Sequence, residues 1–149
     1  KTLPETVSGM LREVDGISNI KPTTNKNGLY AVSFDFKNSK ELNDALYKLL
    51  GQKKRFYEPG YMKIKKHKLV KKNYAPILRL FINKYKDQMK DKNILKWVSY
   101  KASLTFPSPV KRFSNKKATL SADGKTIEFK CTLEELLTTS TNIGNKIKY

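Results

Sequence analysis

Residues 29–49 read LYAVSFDFKNSKELNDALYKL, and a change of period inside this stretch decides the fold class. Tyr30, Val32, Phe34 and Phe36 alternate with Ala31, Ser33, Asp35 and Lys37, the two-residue repeat of a strand with one buried face. From Asn38 onward the repeat lengthens, and Leu42, Ala45, Leu46 and Leu49 fall on one helical face that runs to Gly51. Asn38 is an N-cap with Glu41 at N3, so donors at the helix start find local partners. A half-buried strand feeding a separate amphipathic helix predicts an α+β architecture.

The flanking sequence repeats both signals. Val7, Met10, Leu11 and Val14 predict a first helix over Pro4 to Val14, followed by Gly16 as its C′ residue. Ile17 to Thr23 and Leu29 to Lys37 flank the turn Asn25-Lys26-Asn27-Gly28, which predicts a hairpin. Tyr61 to Lys65 and Lys68 to Lys71 read as a short hairpin or two edge strands, where lysine discourages edge-to-edge pairing. Pro76 opens a third helix with Ile77, Leu78, Phe81, Ile82, Tyr85 and Met89 on its apolar stripe. Arg79, Lys84, Lys86 and Lys90 lie on its polar side.

Val98, Tyr100, Ala102, Leu104 and Phe106 predict a long strand that ends at Pro107 and Pro109. Lys117 to Ala122 and Lys125 to Cys131 form a hairpin across Asp123-Gly124, a dipeptide suited to a type I′ turn. Thr132 caps a helical turn over Leu133 to Leu137 with Glu135 at N3. Ile143 to Tyr149 fits either a last strand or a fraying tail. No internal repeat or long linker interrupts the chain. The expectation is one α+β domain over residues 1–149, a mainly antiparallel sheet with about three packed helices.

At 149 residues with 38% hydrophobic residues, the chain can build a core. No run approaches the roughly 20 apolar residues of a membrane span. The single cysteine excludes an internal disulfide. The chain opens at Lys1 without an initiator Met or an apolar leader, which is expected either of a trimmed mature form or of an expressed piece of a longer protein.

The charge is lopsided: 31 Lys and Arg against 13 Asp and Glu give +18, a field that draws anionic partners. It is also concentrated, since Lys53 to Lys101 holds 16 Lys and Arg against Glu58, Asp87 and Asp91. The candidate anion-binding residues are Lys53, Lys54, Arg55, Lys63, Lys65, Lys66, Lys68, Lys71 and Lys72. Tyr57, Tyr61 and Tyr74 are candidate aromatic contacts. Such a set suits anionic lipid, lipopolysaccharide, a glycolipid or an acidic protein. It equally suits single-stranded nucleic acid, with bases stacked on tyrosine, in an intracellular module. A merely solubilising lysine face is the plainer alternative. Lysine far outnumbers arginine, which disfavours base readout.

Tools for catalysis are missing from the sequence. Carboxylates are scattered, His67 sits in a lysine run as a surface residue, and no P-loop, G-x-S-x-G or zinc spacing occurs. The chain is therefore read as a non-enzyme with no metal, no cofactor and no small-molecule substrate. Cys131 shares a strand face with Ile127 and Phe129 and reads as a core hydrophobe. Trp97, on the opposite parity to Val98 and Tyr100, reads as packing under a helix on the sheet's second face.

Residues Ala31 to Leu46, and Leu104-Thr105-Phe106-Pro107 through Leu120 to Phe129, resemble segments of uncharacterised Bacteroidetes lipoproteins similar to LppM-type lipoprotein domains. The resemblance implies an α+β domain of the cell envelope, tethered by a lipidated cysteine upstream of Lys1 and facing the periplasm or the surface. It implies no functional residues.

Overall fold

The computed structural model describes residues 3–24, 26, 30–53, 60–88, 90–91, 93–138 and 140–149. It is α+β with mostly antiparallel sheets, as the change of period predicts. The chain divides into two compact units, residues 1–64 and 65–149. The turn expected at Asn25 to Gly28 lies largely outside the described residues.

In the first unit α1 (Leu3–Arg12) and α2 (Ser39–Leu49) pack on the antiparallel pair β1 (Ile17–Thr24) and β2 (Tyr30–Phe36). The Asn38 cap forms as expected, its Oδ1 accepting from the backbone N–H groups of Lys40 at 2.9 Å and Glu41 at 3.4 Å. Asn19 has a φ of +51° where the β1 register shifts, and its side-chain amide donates to Asp35 at 2.6 Å. Leu11 and Ala45 are fully buried. Tyr61 stacks on Tyr47 with 4.5 Å between ring centroids. The buried Asn43 amide stands in for a strand neighbour: it donates to the Met62 carbonyl at 2.6 Å and accepts from the Met62 N–H at 2.7 Å.

The division between the units falls inside β3 (Met62–Lys65). The second unit then carries β4 (Lys68–Lys71), α3 (Ala75–Lys86), α4 (Ile94–Trp97) and β5 (Ser99–Thr105). These are followed by β6 (Arg112–Phe113), β7 (Thr119–Leu120), β8 (Thr126–Thr132), α5 (Leu133–Leu136) and β9 (Asn145–Lys148). One sheet has the order β3-β4-β9-β6 and the other β5-β8-β7. Residues 145–148 thus form an internal strand rather than a frayed tail. Of the two readings offered for this stretch the hairpin holds, β3 and β4 being neighbours in the sheet, while β9 on the other side of β4 makes that strand internal rather than an edge.

The core of this unit gathers Ala75, Ile82, Phe129, Cys131, Leu136 and Ile143. Burying each large aliphatic side chain contributes about 1.5–3 kcal/mol before chain entropy is counted. Thr132 caps α5, accepting from the Glu135 N–H at 3.1 Å. At the β7–β8 turn only Gly124 takes a positive φ, +73°. The type I′ expectation is therefore corrected: Ser121 N–H donates to the Thr126 carbonyl at 2.9 Å, closing a longer loop that Asp123 braces by accepting from Lys125 N–H at 3.0 Å. Trp97 is also corrected, being 72% exposed at the end of a four-residue helix.

Candidate anion-binding site

Strand register builds the site. On β9, Asn145 and Ile147 turn inward while Lys146 and Lys148 face solvent. β4 and β9 are antiparallel with Lys68 opposite Lys148, and β6 lies on the other side of β9 with Arg112 opposite that same Lys148. Three exposed cations therefore stand in one row across three adjacent strands. Directly opposed side chains on one face start roughly 4.5–5.5 Å apart, and like charges in that position destabilise the pairing. Among the described residues no carboxylate forms an ion pair with Lys68, Arg112, Lys146 or Lys148. The row borders a depression of about 250 Å³ that Phe113 and Ser114 also line.

A larger cavity of about 560 Å³ adjoins it, sharing Ser114 and Lys146. Its lysines are Lys71, Lys72, Lys116, Lys117 and Lys146, and among the described residues no acidic side chain lines it. Its walls are braced by asparagines. Asn115 Nδ2 donates to the carbonyls of Asn142 at 3.0 Å and Gly144 at 2.9 Å, while its Oδ1 accepts from Lys117 N–H at 3.0 Å. Asn145 Oδ1 accepts from the N–H groups of Ser114 at 3.0 Å and Asn115 at 3.1 Å. A Cβ at Gly144 would lie 2.9 Å from the backbone nitrogen of Asn73 and 3.0 Å from the Lys71 carbonyl oxygen. The backbone runs that close only because position 144 has no side chain.

The structure distributes the sequence-expected residues unevenly. Lys68 joins the cationic row and Lys72 the larger cavity. Lys53, Lys63, Lys65 and Lys66 are exposed without belonging to either depression, and Lys54, Arg55 and Tyr57 lie outside the described residues. Two expectations are corrected: Lys71 is 4% exposed and Tyr61 is 5% exposed, so neither presents its side chain to a partner. Strand alternation turns Lys71 inward with Leu69, and Tyr61 is stacked on Tyr47. Tyr74 is half-buried, its hydroxyl 2.7 Å from that of Tyr100.

Lys71 has an unusual setting. Its Nζ donates to the Tyr100 hydroxyl at 2.7 Å and lies 5.2 and 5.1 Å from the ring centroids of Tyr74 and Tyr100. Burial pushes its pKa down to about 8. Burial raises those of Tyr100, Tyr74 and the Cys131 thiol, so Cys131 stays a protonated core residue, as its strand face predicts.

Sequence reasoning missed Arg112, Lys116, Lys117, Lys146 and Lys148. Lys146-Ile147-Lys148 carries the strand alternation that would have placed two of them on one face. No family model, curated protein or solved structure matches the chain.

Proposed function

We propose that this protein is a non-enzymatic anion-binding domain whose β4-β9-β6 face meets the headgroups of anionic lipid or glycolipid at the cell envelope. The observation that carries the reading is the row Lys68–Lys148–Arg112, three opposed cations with no described carboxylate among them. Such a row is electrostatically unfavourable in the free protein, and an anionic surface relieves it. The envelope setting rests on the resemblance of residues 31–46 and 104–129 to lipoprotein segments.

Each basic group near an anionic membrane contributes about 1 kcal/mol, so the row accounts for about 3 kcal/mol, or roughly a hundredfold in affinity. Vesicles of phosphatidylcholine with and without phosphatidylglycerol, sedimented with the protein near 150 mM salt, test this. Binding to the anionic vesicles alone, weakened by added salt and lost in Lys68→Glu/Lys148→Glu, is the expected result. Equal sedimentation with both vesicle types removes the proposal. The nucleic-acid alternative loses support, since Tyr61 is stacked inside the first unit and the Tyr74 hydroxyl is engaged with Tyr100. Single- and double-stranded oligonucleotides form the competing arm of the same assay.

A further inference from the structure

Of the seven large hydrophobic side chains exposed among the described residues, five lie on α3, on α4 and at the residue that ends α4: Leu80, Phe81, Ile94, Trp97 and Val98. Apolar residues scattered singly over a surface are ordinary, whereas a concentration of them marks a contact surface. Helical spacing produces part of it. On α3, Ala75, Leu78 and Ile82 turn toward the core, while Ile77, Leu80, Phe81 and Lys84, at i, i+3, i+4 and i+7, follow a second stripe on the outward side. Leu80 is 70% exposed and Phe81 52%. On α4, Leu95 packs against the same core and leaves Trp97 outside. Both helices contact α5, so they are neighbours in one layer.

This layer faces the same way as the row Lys68–Lys148–Arg112. Across β5 and β8, Tyr100 pairs with Cys131 and Ala102 with Phe129, so Tyr100, Cys131 and Phe129 share one face of their sheet. Lys71, turned inward from β4, reaches the Tyr100 hydroxyl, and Ala75 and Ile82 of α3 cluster with Phe129 and Cys131. β4 and α3 therefore cover the same face of the β5-β8-β7 sheet. Their outward sides, carrying Lys68 on the one and Leu80 and Phe81 on the other, both turn away from it.

We propose that the outward sides of α3 and α4 seat in the interfacial layer of the same anionic bilayer whose headgroups meet the cationic row, with Leu80, Phe81 and Trp97 among the upper acyl chains. The inference rests on the anionic-lipid reading and adds an apolar contact, which holds the protein by burial where the row holds it by charge. Charge selects this occupant. Residues 75–101 hold seven Lys and Arg against two Asp, so a second copy of the chain would bring two such cationic sets together, whereas anionic headgroups neutralise one. Tryptophan suits the boundary because its ring is apolar and its N–H is a donor. Lys84, one turn from Leu80 and Phe81, and Lys96, beside Trp97, lay their stems along apolar surface and keep their ammonium groups at headgroup level.

Trp97 is the sole tryptophan and reports the contact directly. The full chain is titrated at about 150 mM salt with phosphatidylcholine vesicles and with mixed phosphatidylcholine–phosphatidylglycerol vesicles, plain or brominated on the upper acyl chains. With the anionic vesicles Trp97 emission is expected to shift to the blue, to lose its quenching by iodide and to be quenched by the brominated chains. Leu80→Ser/Phe81→Ser should weaken sedimentation with anionic vesicles by about tenfold or more while keeping the wild-type circular dichroism. Trp97→Ala, at another exposed position away from the row, gives a second variant with an effect in the same direction.

Sedimentation with anionic vesicles while Trp97 keeps its solvent-like emission overturns the inference and leaves the anionic-lipid reading standing, as does wild-type sedimentation by both variants. Blue, iodide-protected emission that appears with rising protein concentration and no lipid assigns the surface to a second copy and also overturns it. If neither vesicle type sediments the protein, the inference and the anionic-lipid reading fail together.

Discussion

Replacing Lys71 with methionine should make the protein more stable at neutral pH. The wild-type Nζ is buried beside two tyrosines with no carboxylate partner among the described residues, and burial lowers its pKa from 10.5 to about 8. At 1.36 kcal/mol per pH unit, that gap corresponds to a charge-burial cost of about 3 kcal/mol below pH 8. The sign follows from proton counting. Below pH 8 both folded and unfolded chains hold the proton, so the full cost is present. Above pH 8 the folded state releases it first, the unfolded state binds more protons, and stability rises with pH.

The opposing groups set the usable window. The Cys131 thiol and the Tyr74 and Tyr100 hydroxyls have raised pKa values, so above their ordinary values near 9 and 10 they lower stability as pH rises. Between pH 8 and 9 Lys71 dominates, with a slope of at most about 1.4 kcal/mol per unit. Methionine fills a similar length without charge and loses the Tyr100 hydrogen bond, worth about 1 kcal/mol, while Tyr100 keeps Tyr74 as partner. The net expectation is a gain of about 1–2 kcal/mol at pH 7, consistent with other replacements of buried charge by apolar groups. Urea unfolding followed by circular dichroism at pH 7, 8 and 9 measures it for both proteins. Wild-type stability rising across this range with a flat profile for Lys71→Met supports the reasoning, and parallel profiles for the two proteins refute it.

Lys148→Thr should raise stability by a few tenths to about 1 kcal/mol at low ionic strength by removing the central charge of the row, with the gain fading in 1 M salt; a salt-independent difference would contradict the electrostatic account. Gly144→Ala pushes a methyl group against the Lys71 and Asn73 backbone and should cost about 1–3 kcal/mol, measured as a lowered urea midpoint. Thr132→Ala removes the α5 cap and should cost about 1 kcal/mol, with no change at Thr132→Ser. Trp97, the sole tryptophan, should show solvent-like emission and ready quenching by iodide; a blue, protected emission would place it under a helix after all.

The local grammar of the chain was legible where a short-range rule operates alone. Asn38 and Thr132 cap their helices because the capping oxygen and the donors it meets lie within three residues of each other. Tyr100, Ala102 and Leu104 share the inner face of β5 because alternation is built into a strand. The same reasoning stumbled at Trp97, whose parity relative to Tyr100 says nothing about a four-residue helix that ends there. It also stumbled at Asp123-Gly124, where the Ser121–Thr126 bond and the Asp123 side chain select a longer loop over the two-residue turn.

The candidate site was only half legible, because charge was judged by proximity in sequence. A window over 53–101 collects Lys68 and Lys72, which are exposed at the two depressions, together with Lys71, which lines the larger one but keeps its ammonium buried on Tyr100. It excludes Arg112, Lys116, Lys117, Lys146 and Lys148, which also line them.

By itself the sequence determined the α+β class, the helix caps, the core placement of Cys131 and a net charge of +18. Those properties depend on periodicity, on bonds between near neighbours and on composition. Tertiary structure alone decided which basic residues lie together. Placing β9 between β4 and β6 brings residues 68, 112 and 148 into one row, and a shift of register by one residue would turn Lys148 inward and Ile147 outward. The same pairing sends Lys71 into the core, where burial rather than solvent governs its charge.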